Sequence, residues 1–111
     1  MGQQNVNDKG HFLFGGWDVT ELAERFGTPL YVLSEEAVRA RCRTVRESFM
    51  DRWEHSLAVY AGKAFLPLAM CRIIASEGLG LDVVSGGELH TAKSAGFPME
   101  KVFFHGNSKT E

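Results

Sequence analysis

The chain has 111 residues, 44% of them hydrophobic and 23% charged, with a formal net charge of −2. That balance excludes a disordered chain and offers no basic face for nucleic acid or an anionic membrane surface. No apolar run approaches the roughly 18–20 residues that span a bilayer, and the polar N-terminus lacks the basic-then-apolar order of a signal peptide, so a disordered leader over residues 1–11 and a cytoplasmic location are expected.

Asp18 followed by Glu21 has capping-box spacing and predicts a short helix over residues 19–26. Gly27 stops it and Pro29 follows. Residues 30–33 are a short apolar run that predicts a strand. Ser34 can cap a helix over about 35–49, in which Val38, Cys42, Val45 and Phe49 fall on one face. Arg39, Arg41, Arg43 and Arg46 decorate the rest of that helix and read as a solvated face.

Residues 57–61 predict a buried strand, 68–77 a helix ended by Gly78, and 81–84 a second buried strand. Ser85 and Glu88 form another capping box, opening a helix that runs to about Ala95 before Gly96 and Pro98. Residues 102–104 predict a third strand. The order from residue 57 is therefore β-α-β-α-β. The strands are continuous apolar runs, which implies a parallel sheet buried on both faces. Val38, Val45, Leu57, Val59, Ile73, Ile74, Val83, Val84, Leu89, Val102 and Phe103 are the expected core. A doubly wound sheet and a TIM barrel both fit this α/β pattern. Cys42 and Cys71, far apart and within helices, read as buried free thiols.

In parallel α/β folds, sites lie at the carboxyl ends of strands. Here those ends present Lys63, Asp82 or Ser85, and His105 or Asn107. A lysine directly after a buried strand has its stem in the core and its amine at the rim, and partial desolvation there suits a Schiff-base lysine. The plainer reading is a lysine reaching out to solvent. Gly86-Gly87 reads as a tight turn into the helix, with Ser85 and Glu88 as caps. His11, His55, His90 and His105 share no metal-ligand spacing, so no metal is expected.

Four segments carry a family resemblance. Tyr60-Ala61-Gly62-Lys63-Ala64-Phe65 resembles the Y-A-x-K-A segment of the fold-type-III pyridoxal-phosphate (PLP) decarboxylases, which act on diaminopimelate, ornithine or arginine. The segment from Leu81 through Asp82, Ser85, Gly86 and Gly87 to Leu89 resembles D-V-V-S-G-G-E-L of the diaminopimelate branch. The segment from Phe104 to Lys109 resembles its F-H-G-N-x-K, and Phe14-Gly15-Gly16 with the run from Gly27 to Val32 resembles its opening. Phe65 departs from the Asn that many members carry there. The resemblance covers residues 12–111 and implies that residues 35–111 begin a PLP-binding TIM barrel, incomplete in this chain. Residues 12–34 would be a helix-and-strand segment that packs with a β-domain.

It further implies that Lys63 carries PLP as a Schiff base and that Asp82 and His105 line the cofactor pocket. The phosphate-binding glycines of the family belong to a later glycine run. The implied activity is decarboxylation of meso-2,6-diaminopimelate to L-lysine by a homodimer acting on a small-molecule amino acid. Alternatives are a decarboxylase of arginine, ornithine or carboxynorspermidine, or a non-catalytic relative that binds a partner.

Overall fold

The computed structural model describes residues 5–106 and 109. The chain divides into two compact units after Glu36.

In the N-terminal unit, β1 (Leu13–Phe14) and β2 (Trp17–Asp18) pair antiparallel across Gly15-Gly16. Both glycines have positive φ, +57° and +84°, as the commonest two-residue hairpin turn requires. The hairpin leads into α1 (Val19–Phe26), capped by Asp18 as expected and ended at Gly27. Residues 5–11, expected to be a structureless leader, instead turn back on the hairpin. Val6 bridges Phe12, and the Leu13 N–H donates to the Asn5 carbonyl at 2.7 Å. The expected strand over 30–33 does not form. Among the described residues no strand lies beside it to complete a ladder, and Tyr31 is 93% exposed.

The second unit begins with most of α2 (Glu35–Val45), which is shorter than expected because Arg46–Met50 continues as one π-helical turn. Arg39 of α2 and Arg46 of the π-helical turn do not belong to a solvated face. Arg39 Nη1 donates to Glu77 Oε1 at 3.1 Å and to Ser76 Oγ at 2.7 Å. Arg46 Nη1 donates to the Glu77 carbonyl at 2.9 Å and to Oε2 at 3.3 Å. A carboxylate at a helix C-terminus opposes the helix dipole, and the two guanidiniums offset this at the buried Glu77.

The three predicted strands form one parallel sheet: β3 (Val59–Ala61), β4 (Gly80–Val83) and β5 (Val102–Phe104), in chain order. Between them lie α3 (Leu68–Ser76) and α4 (Gly86–Ser94), with single 3₁₀ turns at Gly62–Ala64 and Met99–Lys101. Register aligns Tyr60 with Leu81 and Val102, and Ala61 with Asp82 and Phe103. Alternation along each strand then assigns the faces. Leu81 and Val83 are fully buried in a core shared with Met70, Cys71, Ile74 and Ala92 of the two helices, and Tyr60, Val102 and Phe104 pack against it.

The opposite face carries Val59, Ala61, Asp82 and Phe103. It is not covered by the described residues, so burial on both faces is not observed. Val59, Val84 and Phe103 are exposed for this reason, and Val45 is exposed at the end of α2. Ile74 and Val83 are buried as expected, while Val38, Leu57, Ile73, Leu89 and Val102 are half-buried.

Candidate active site

Because β3, β4 and β5 are parallel, their carboxyl ends lie at one edge of the sheet. Lys63 sits in the middle of the 3₁₀ turn that directly follows β3. Its side chain is exposed, so the described residues do not supply the expected desolvation. Its ammonium makes no hydrogen bond or ion pair among the described residues.

Asp82 is the third residue of β4, on the open face of the sheet. His105 follows β5 directly, and its N–H continues the ladder to the Val83 carbonyl at 3.1 Å. The two side chains meet: His105 Nδ1 and Asp82 Oδ1 are 3.0 Å apart. The imidazole is 69% exposed and the carboxylate 27%. The carboxylate fixes the ring's orientation and leaves Nε2 available. Asn107 lies outside the described residues.

Ser85 and Glu88 cap α4 reciprocally, as their spacing predicts. Ser85 Oγ accepts from the Glu88 N–H at 3.2 Å, while Glu88 Oε2 accepts from Ser85 Oγ at 3.0 Å and from the Val84 N–H at 3.3 Å. Glu88 Oε1 is buried and has no hydrogen-bond partner among the described residues. It faces Gly62: a Cβ built there would lie 3.0 Å from Glu88 Oε1 and 3.1 Å from the Asp82 carbonyl. The turn that carries Lys63 is thus pressed against β4 and the start of α4, and glycine allows the approach.

Two contributors were not singled out by sequence reasoning. Gly62 is one; a glycine between an apolar strand and a lysine was the available signal. The Tyr60 hydroxyl, which donates to the Phe65 carbonyl at 2.7 Å, is the other, and only the folded turn reveals it. Among the described residues no group of three His, Cys, Asp or Glu could hold a metal ion, and no helix is long and apolar enough to cross a membrane.

Residues 35–111 match the model of the pyridoxal-dependent decarboxylase family, pyridoxal binding domain. The chain is 49% identical over 109 residues to a diaminopimelate decarboxylase of Bacillus methanolicus, covering 98% of this chain and 25% of the relative. A crystal structure of diaminopimelate decarboxylase from M. jannaschii superposes with a TM-score of 0.85 at 47% identity, over 95% of this chain and 25% of that one. A second structure of the M. jannaschii enzyme, in co-complex with L-lysine, gives a TM-score of 0.83 at 46% identity over 99% and 26%. The chain spans about a quarter of the length of the relatives it matches.

Proposed function

The chain belongs to the pyridoxal-dependent decarboxylases, as part of their pyridoxal-binding domain, and from that premise we propose that the complete protein decarboxylates meso-2,6-diaminopimelate to L-lysine. The names of the relatives support the substrate, and the lysine co-complex supports the product. The cofactor is PLP. A cytoplasmic homodimer is the form we expect.

The residues present fit that cofactor. Lys63 offers a primary amine with no competing partner among the described residues, at the edge that also carries the Asp82–His105 pair. This placement is the observation that carries the reading. Glu88 Oε1 adds a buried acceptor beside the same turn, with no donor among the described residues. When bound, PLP supplies an electron sink for the charge left as carbon dioxide departs. Lys63 would hold the group covalently through its amine. Asp82 would hold the His105 ring so that the imidazole lines the pocket in one orientation.

The test is carbon dioxide release by the full-length protein offered meso-diaminopimelate, arginine, ornithine or carboxynorspermidine. Preference for meso-diaminopimelate is expected; preference for another of the four reassigns the substrate. Lys63→Ala should abolish covalent PLP attachment and most turnover. Lys63→Arg should do the same, because a guanidinium stays protonated and is no amine nucleophile. A Lys63→Ala enzyme with normal covalent attachment and turnover would show that another lysine carries the cofactor.

A further inference from the structure

We propose that Tyr60 is a positioning residue for Lys63: its hydroxyl, bonded to the Phe65 carbonyl, holds the turn that aims the lysine amine. The inference rests on the reading of Lys63 as the cofactor lysine.

Lys63 has no side-chain partner of its own among the described residues. Where its amine lies therefore depends on the backbone of Gly62–Ala64. That backbone is one 3₁₀ turn with no side-chain cap at its start, leading into an extended Phe65. So short a turn has little intrinsic stability. Two contacts hold it. On one side Gly62 is pressed against the Asp82 carbonyl, Leu66 and Glu88. On the other, Tyr60, the middle residue of β3, donates its hydroxyl to the carbonyl five residues on, at 2.7 Å, with Lys63 between the two ends. Tyr60 itself is anchored, since its ring packs against the core below the sheet. A phenol is protonated at neutral pH, and burial pushes its pKa further up, so the hydroxyl is a donor there.

Tyr60→Phe keeps the ring and removes only the bond. In the full-length apoenzyme the melting temperature should fall by no more than about 4 °C. Amide hydrogen exchange should accelerate in residues 62–66 and remain unchanged elsewhere. The PLP dissociation constant, read by absorbance titration, should rise roughly three- to tenfold, the effect of one net hydrogen bond. A wild-type dissociation constant overturns the proposal, and so does unchanged exchange at 62–66. A loss of PLP binding matched by faster exchange throughout the protein also overturns it, because that is a general structural role. If Tyr60→Phe does not fold, exchange in the wild-type apoenzyme decides. Protection of 62–66 before PLP is added is expected, and rapid exchange there overturns the idea. Borohydride reduction of the wild-type holoenzyme with peptide mapping separates the two readings. An adduct on another lysine defeats the assignment of Lys63, whereas an adduct on Lys63 with an unaffected Tyr60→Phe enzyme defeats only the role of Tyr60.

Discussion

Asp18 concentrates several interactions on one carboxylate. The Thr20 N–H donates to Oδ1 at 2.8 Å, Asn7 Nδ2 donates to Oδ2 at 2.8 Å, and His11 Nδ1 lies 2.8 Å from Oδ2. The bond with His11 is the main cause of its lowered pKa, about 2 against an ordinary 3.8. A carboxyl whose folded pKa lies below its unfolded value contributes stability above the unfolded value and loses it as protons bind the folded form. This contribution should therefore be complete above pH 3.8 and decline towards about pH 2. Asp18→Asn keeps an acceptor for the cap but has no proton to gain. Urea unfolding of the two full-length proteins between neutral and acid pH should show a smaller pH dependence in the variant; identical profiles would contradict the assignment. Asp18 and Ser85 were legible as caps because a cap is a local device, fixed by residues three apart. The pairing of Asp82 with His105 is 23 residues long in sequence and became definite only with the sheet register. Arg39 and Arg46 misled for the same reason, because nothing in a basic helix face announces that Glu77 will be buried beneath it.

At the scale of elements, the sheet depends on a close approach at Gly80. A Cβ there would lie 2.8 Å from the Lys101 carbonyl, 2.9 Å from Val59 Cγ1 and 3.0 Å from Leu57 Cδ2. The carbonyl belongs to the backbone entering β5, so relief requires moving a strand and not rotating a side chain. Gly80→Ala should destabilise the full-length protein by about 1–3 kcal/mol, read as a lower urea midpoint. Ser85→Ala should cost about 1 kcal/mol by leaving the Glu88 N–H without its acceptor. From residue 57 onward, helices and strands were readable in order because short apolar runs alternate with longer helical segments that end at glycines. Strand starts drifted: β3 begins at Val59 where 57 was expected, because pairing with Gly80 and not hydrophobicity defines where a ladder opens. The β1–β2 hairpin was missed although Gly15-Gly16 between Phe14 and Trp17 is a two-residue turn signal. Residues 30–33 show the converse, an apolar run whose strand character awaits a neighbour.

At the scale of the molecule, the sheet has one covered face and one open face. Val59 and Phe103 on the open face, and Trp17, Phe26, Tyr31 and Leu33 in the N-terminal unit, remain exposed. Exposed apolar area of this kind favours association. The 111-residue chain made by itself should therefore self-associate in size-exclusion chromatography and show no decarboxylase activity. A monodisperse, cooperatively unfolding monomer would contradict this.

The strand order β3-β4-β5 has a consequence for biosynthesis. After β3, each strand of the sheet pairs with the one made immediately before it. A nascent chain leaving the ribosome can thus dock each strand as it emerges, with no need to wait for a distant partner. Pairing successive strands keeps each loop to be closed as short as a parallel crossover allows, which limits the entropy lost on closing it. Pulse proteolysis of stalled ribosome complexes should find protection of β3 and β4 once Val83 has cleared the exit tunnel, while β5 is still inside it.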